Sequence, residues 1–83
     1  MTQHDLLHVL TALHDLARDG RRAHLAVLVH RTSLPMVRVA DALVHLEARG
    51  LADARRARLT LRGLAVATGL TAQGRLQQHA HAA

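Results

Sequence analysis

One stretch leaves this chain few folds to choose from. Between Leu28 and Leu51 the sequence reads LVHRTSLPMVRVADALVHLEARGL. Pro35 lacks an N–H and bars a helix from continuing into it, yet it suits the first turn of a new one. The small polar residues of Thr32-Ser33-Leu34, just ahead of it, supply a turn. Beyond Pro35, Met36, Val39, Leu43 and Leu46 recur at helical spacing and define a face that packs inward. Gly50 ends the pattern, as glycine commonly does just past a helix. The stretch is a helix, a tight turn and a second helix that stops at a glycine. The residues before Leu28 read as support. Those after Leu51 read as a small basic hairpin and a closing helix.

The flanking segments complete a mainly α domain. Residues 3–19 form an amphipathic helix that buries Leu6, Val9, Leu10, Leu13, Leu16 and Ala17, and Gly20 stops it. Thr2 with Asp5 three residues later resembles a capping box. Residues 21–32 form a shorter helix with Leu25, Leu28 and Val29 inward, and residues 35–49 form the third. Residues 51–54 and 58–61 make two short strands around Arg55-Arg56-Ala57, although alanine and arginine are poor strand formers and no Asn-Gly turn is present. Residues 61–72 form a fourth helix, with Leu61, Leu64, Ala65 and Leu70 available for the core and Gly69 and Gly74 weakening it. A short helical turn comes next, around 75–78. Residues 1–78 are thus one domain, and 79–83 a flexible tail.

Composition removes several classes of function. There is no cysteine, hence no disulfide, thiolate metal site or cysteine nucleophile. There is no aromatic residue, hence no stacking platform for unpaired bases, whereas duplex binding needs none. No basic segment leads into a long apolar run at the N-terminus, and the longest purely apolar run is Leu25–Val29, far short of a membrane span. A soluble, cytoplasmic protein is the expectation. Charge is unevenly spread. Six arginines balance six acids up to residue 53, and after it Arg55, Arg56, Arg58, Arg62 and Arg75 face no acid at all. Localised positive charge of this kind suits a polyanion.

Other chemistry is less well supported. His4 and His8 share one helix face, with Asp15 two turns beyond His8, but no third or fourth ligand converges on them by spacing. A solvated helix face accounts for them, so neither a metal nor any other cofactor is expected. Ser33 and Thr60 fit turn and cap roles better than nucleophilic ones, since no spacing places a histidine or carboxylate to activate them. The glycines match no nucleotide-binding loop. An enzyme is not expected.

The order helix, helix-turn-helix, hairpin, helix resembles the winged helix superfamily. Within it, the chain looks most like MarR-type and iron-dependent (diphtheria-toxin-repressor-like) transcriptional regulators, over about Leu6 to Leu70. Two segments carry the likeness. Val39-x-x-x-Leu43-x-x-Leu46-Glu47-x-x-Gly50-Leu51 resembles a recognition helix that runs into the first wing strand. Leu59-Thr60-x-x-Gly63 resembles the second wing strand and a capped closing helix. The resemblance implies a duplex DNA-binding regulator; the small size of the chain and outward apolar positions such as Val27 and Val44 add the expectation of a homodimer. The third helix would enter the major groove with Arg38 and His45 toward base edges; Asp41, on the same face, would repel phosphate unless it accepts from a cytosine amino group. Thr32 and Ser33 would sit near the DNA backbone, and Arg55, Arg56 and Arg58 would reach flanking phosphates. The chain also departs from the family. Ser33 stands where the turn often has glycine, and Val29 where alanine is common. Neither the large effector or dimerisation domain of the iron-dependent repressors nor their metal ligands can be mapped onto it. Val37, Val44 and Ala48 give the third helix an outer face that suits a protein partner about as well as a groove. A winged-helix protein-interaction or dimerisation module is therefore the alternative.

Overall fold

The computed structural model describes residues 2–82, with side chains described through Gln73. Its elements are α1 (Gln3–Arg18), α2 (Leu25–Thr32), α3 (Met36–Ala48), β1 (Ala52–Asp53), β2 (Arg58–Leu59) and α4 (Leu61–Ala82). The strands pair antiparallel, Ala52 opposite Leu59 and Asp53 opposite Arg58. Three N-terminal helices, a two-stranded wing and a closing helix make a winged helix-turn-helix.

α1 is the hub, packing against α2, α3, α4 and β2. Its inner face buries Leu6, Val9, Leu10, Leu13 and Leu16, which join Leu28 of α2 and Val39, Leu43 and Leu46 of α3 in one core. With no aromatic side chain to fill space, alanines close the rest: Ala12, Ala42, Ala52, Ala57 and Ala67 are all buried. Burying each large aliphatic contributes roughly 1.5–3 kcal/mol, so the α1–α3 seam dominates the apolar stabilisation.

The helix ends are set by local chemistry. Thr2 caps α1, its hydroxyl accepting from the Asp5 amide at 3.2 Å. Past Gly20, the Arg21 amide reaches back to the Leu16 carbonyl and the Gly20 amide to Ala17. The same pair of bonds recurs at the end of α3, from Leu51 to Leu46 and from Gly50 to Glu47, with Gly50 at φ +72°. Both are two-bond glycine caps that satisfy otherwise orphaned carbonyls.

Several expectations are corrected. α2 begins at Leu25, not near residue 21. The chain leaves the α1 cap extended, and His24 still has φ −151°. The strands are two residues each, because a four-residue turn, Ala54–Ala57, takes up the middle of the hairpin; Ala57 there adopts φ +50°. α4 does not stop near Ala72 but continues to Ala82, and a side chain at Gly69 would meet open space. Of the expected tail, Ala83 lies outside the described residues. Inward packing on α4 comes from Gly63 and Ala67; Leu61, Leu64, Ala65 and Leu70 are exposed. Met36 and Ala17 are exposed too.

Candidate nucleic-acid interface

The turn between α2 and α3 is built by Thr32. Its hydroxyl donates to the Leu28 carbonyl at 2.7 Å and accepts from the Leu34 amide at 3.3 Å. Both bonds are spent on the turn, and the side chain is buried. The structure thus places the Thr32 hydroxyl within the turn, its hydrogen already donated to Leu28. Ser33 is the exposed member of the pair. It takes the left-handed conformation at φ +60°, which glycine would adopt more easily, and its amide donates to the Val29 carbonyl.

Arg38 has a partner that its sequence position does not reveal. Its Nε and one Nη donate to the two carboxylate oxygens of Asp5 at 2.8 and 2.6 Å. The Asp5 side chain is fully buried, whereas that of Arg38 is 47% exposed. This side-on, two-point pair pins the start of α1 to α3. The Arg38 hydrogen bonds hold the Asp5 carboxyl below the ordinary carboxylate range, against the opposing effect of burial, and the Thr2 hydroxyl and amide assist. The Asp5 hydrogen bond in turn raises the Arg38 guanidinium above its usual value. An arginine on the rim of the helix face is thus paired with an acid beneath it.

The rest of the α3 outer face presents Val37, Asp41, Val44, His45 and Ala48, all exposed. The His45 Nδ1 lies 2.8 Å from the Asp41 carbonyl. A carbonyl only accepts, so Nδ1 carries the proton and Nε2 is left as an acceptor when the ring is neutral. Val37 is 71% exposed and Val44 57%. This face offers few polar groups and a broad apolar surface.

The wing lies against the end of the same helix. The Glu47 carboxylate accepts from the Ala54 amide at 2.9 Å, tying α3 to the hairpin. The Asp53 carboxylate accepts from the Arg56 amide at 3.2 Å and shapes the turn. Arg55, Arg56 and Arg58 are all exposed. Arg56 has Asp53 nearby, but only at 3.8 Å. Thr60 then caps α4: its hydroxyl accepts from the Gly63 amide at 3.0 Å and donates to the Gly50 carbonyl at 2.7 Å. One side chain thus joins the end of α3, the wing and the start of α4.

Two arginines outside the sequence motifs belong with this group. Arg21 and Arg22, in the α1–α2 connection, line a cleft together with Arg56 and Arg58 of the wing. Nothing local signals this, because the two pairs lie more than thirty residues apart. Among the described residues no group of three or more metal-ligating side chains converges; His4 and His8 only bring their rings to 5.4 Å. Among the described residues no helix is long and apolar enough to cross a membrane. Comparison with protein-family models, curated proteins and solved structures gives no match to this chain.

Proposed function

We propose that the protein is a duplex DNA-binding transcriptional regulator, with α3 in the major groove and the wing arginines on flanking phosphates. The observation that carries this reading is the helix-turn-helix joined, through Glu47, to a hairpin that exposes Arg55, Arg56 and Arg58. A helix fits the major groove, where base pairs can be told apart, and arginines beside it would neutralise phosphates and fix its register. On this reading Asp41 and His45 face base edges, Val37 and Val44 meet thymine methyls, and the Ser33 hydroxyl approaches the backbone. Arg38 acts by positioning α3 through Asp5. The protein works as a homodimer, its two α3 helices reading half-sites about one helical turn, roughly 34 Å, apart. Titration of labelled duplex DNA at about 50 and about 200 mM salt tests the reading; binding should be firm at the lower concentration and fall steeply at the higher one. No binding at low salt would reject it.

A second reading is favoured by one observation, the apolar character of the α3 outer face, where Met36, Val37 and Val44 are each more than half exposed. On that reading the face docks a protein, a second copy included. Val37→Glu and Val44→Glu separate the two: loss of self-association or partner capture with DNA affinity unchanged supports the second.

A further inference from the structure

The cleft between the α1–α2 connection and the wing has a volume of about 790 Å³, within the size range of small-ligand sites. Leu13 and Ala17 of α1 contribute its apolar lining. Arg21 and Arg22 line it from the α1–α2 connection, Arg56 and Arg58 from the wing. All four arginines are exposed, so their forks are free to turn inward. Among the described residues, Arg21, Arg22 and Arg58 have no carboxylate within 4 Å, and Arg56 has only Asp53 at 3.8 Å. Four guanidinium groups around one concavity repel each other, and a cleft walled by a single sign of charge concentrates the opposite sign. The choice of arginine matters, because its planar fork matches phosphate oxygens two at a time. A single phosphate group would leave most of the cleft's charge unmatched. Linked phosphate groups would bring more negative charge to the four arginines than one can.

We propose that this cleft is a binding site for a phosphate-rich polyanion, bridging the α1–α2 connection and the wing. Such a ligand would clamp the wing to the helical body. It would join residues 21–22 to 56–58, which share no direct hydrogen bond among the described residues. The phosphates could be supplied by a nucleic-acid backbone or by a free anion. The site itself stands on the cleft and does not depend on DNA recognition by α3.

Inorganic tripolyphosphate is the probe, titrated calorimetrically into the full chain at constant ionic strength, with sulfate as comparison. Saturable binding of one tripolyphosphate per chain is expected, at least about tenfold tighter than sulfate. Because the four arginines are exposed, glutamine at these positions should leave the fold intact, and thermal unfolding without ligand verifies this. The pairs Arg21→Gln with Arg22→Gln, and Arg56→Gln with Arg58→Gln, should each weaken binding by about tenfold or more, as expected for lost charge-assisted hydrogen bonds. Arg31→Gln with Arg49→Gln, an equal change of charge outside the cleft, should weaken it far less. No saturable binding, or an equal loss in that control pair, overturns the proposal. A competition arm then identifies the source. Displacement of bound duplex by tripolyphosphate supports the site with backbone phosphates as its natural occupant; simultaneous binding of both supports it with a free anion.

Discussion

Gly63 is the position where the fold tolerates least. A Cβ built there would lie inside the contact distance of the Leu51 carbonyl oxygen, 2.8 Å from the carbonyl carbon and 3.2 Å from the Leu51 Cα. Carbon atoms pack best at about 3.5–4.0 Å, so the carbonyl carbon alone would have to retreat by about 0.7 Å or more. It cannot do so freely. The Leu51 carbonyl accepts from the Thr60 amide at 3.1 Å, and Thr60 holds both Gly50 and Gly63. Gly63→Ala should therefore separate α4 from the base of the wing. Overpacking of this kind typically costs about 1–3 kcal/mol, and a clash with backbone lies at the upper end or beyond. Alanine's better helix propensity returns about 1 kcal/mol. The net loss of about 2 kcal/mol would lower the melting temperature by about 8–16 °C in a domain of this size. The assay is thermal unfolding measured by circular dichroism, with Gly69→Ala as control. Gly69 shares the helix but has nothing within 4 Å of an added Cβ, so that variant should gain a few degrees. If Gly63→Ala melts at or above the wild type, the close approach between α4 and Leu51 is wrong.

Three further substitutions probe separate parts of the molecule. The Asp5 carboxyl titrates lower in the folded protein than in the unfolded chain, so its contribution is complete above about pH 4 and is lost as the pH falls through the folded value. Asp5→Asn should be less stable at neutral pH and should flatten the acid limb of the stability–pH curve, measured by urea unfolding between about pH 2 and 6. Thr32→Val keeps the shape but strands the Leu34 amide and should cost about 1–3 kcal/mol, seen as a lower urea midpoint; an unchanged midpoint would argue against the turn's hydrogen bonds. His14 is buried against Thr68 through Nε2 at 3.4 Å and leaves Nδ1 without a partner, so His14→Leu should raise stability by about 1 kcal/mol in the same measurement.

The frame of the fold was legible because its signals are local. Pro35 and Gly50 bound α3 by backbone chemistry alone, and the Thr60–Gly63 spacing marks a cap within a single turn. The apolar periodicity of α1 placed Leu6, Val9, Leu10, Leu13 and Leu16 inward as they are, but it included the exposed Ala17 and passed over Asp5, Ala12 and His14, which are buried because several elements pack around the helix. What was not legible is tertiary. Asp5 lies 33 positions from Arg38, and its place after Thr2 suggested only a cap. Thr32 had the composition of a surface turn, yet its hydroxyl is turned inward. The length of α4 was obscured by Gly69 and Gly74, whose propensity cost of about 1 kcal/mol each does not terminate a helix otherwise rich in alanine, leucine and glutamine. For the candidate interface, the wing arginines stood out because they cluster in sequence. Arg21 and Arg22 did not, because only the packing of the α1–α2 connection beside the wing brings them to the same cleft.

The most direct test of DNA recognition is the salt dependence of duplex binding, measured for the wild type and for Arg55→Gln with Arg58→Gln. Log affinity should fall linearly with log salt, and the double variant should bind all sequences more weakly with a slope shallower by about 2. Binding that is indifferent to salt, or a slope unchanged by removal of both wing arginines, would contradict recognition of duplex DNA through the wing.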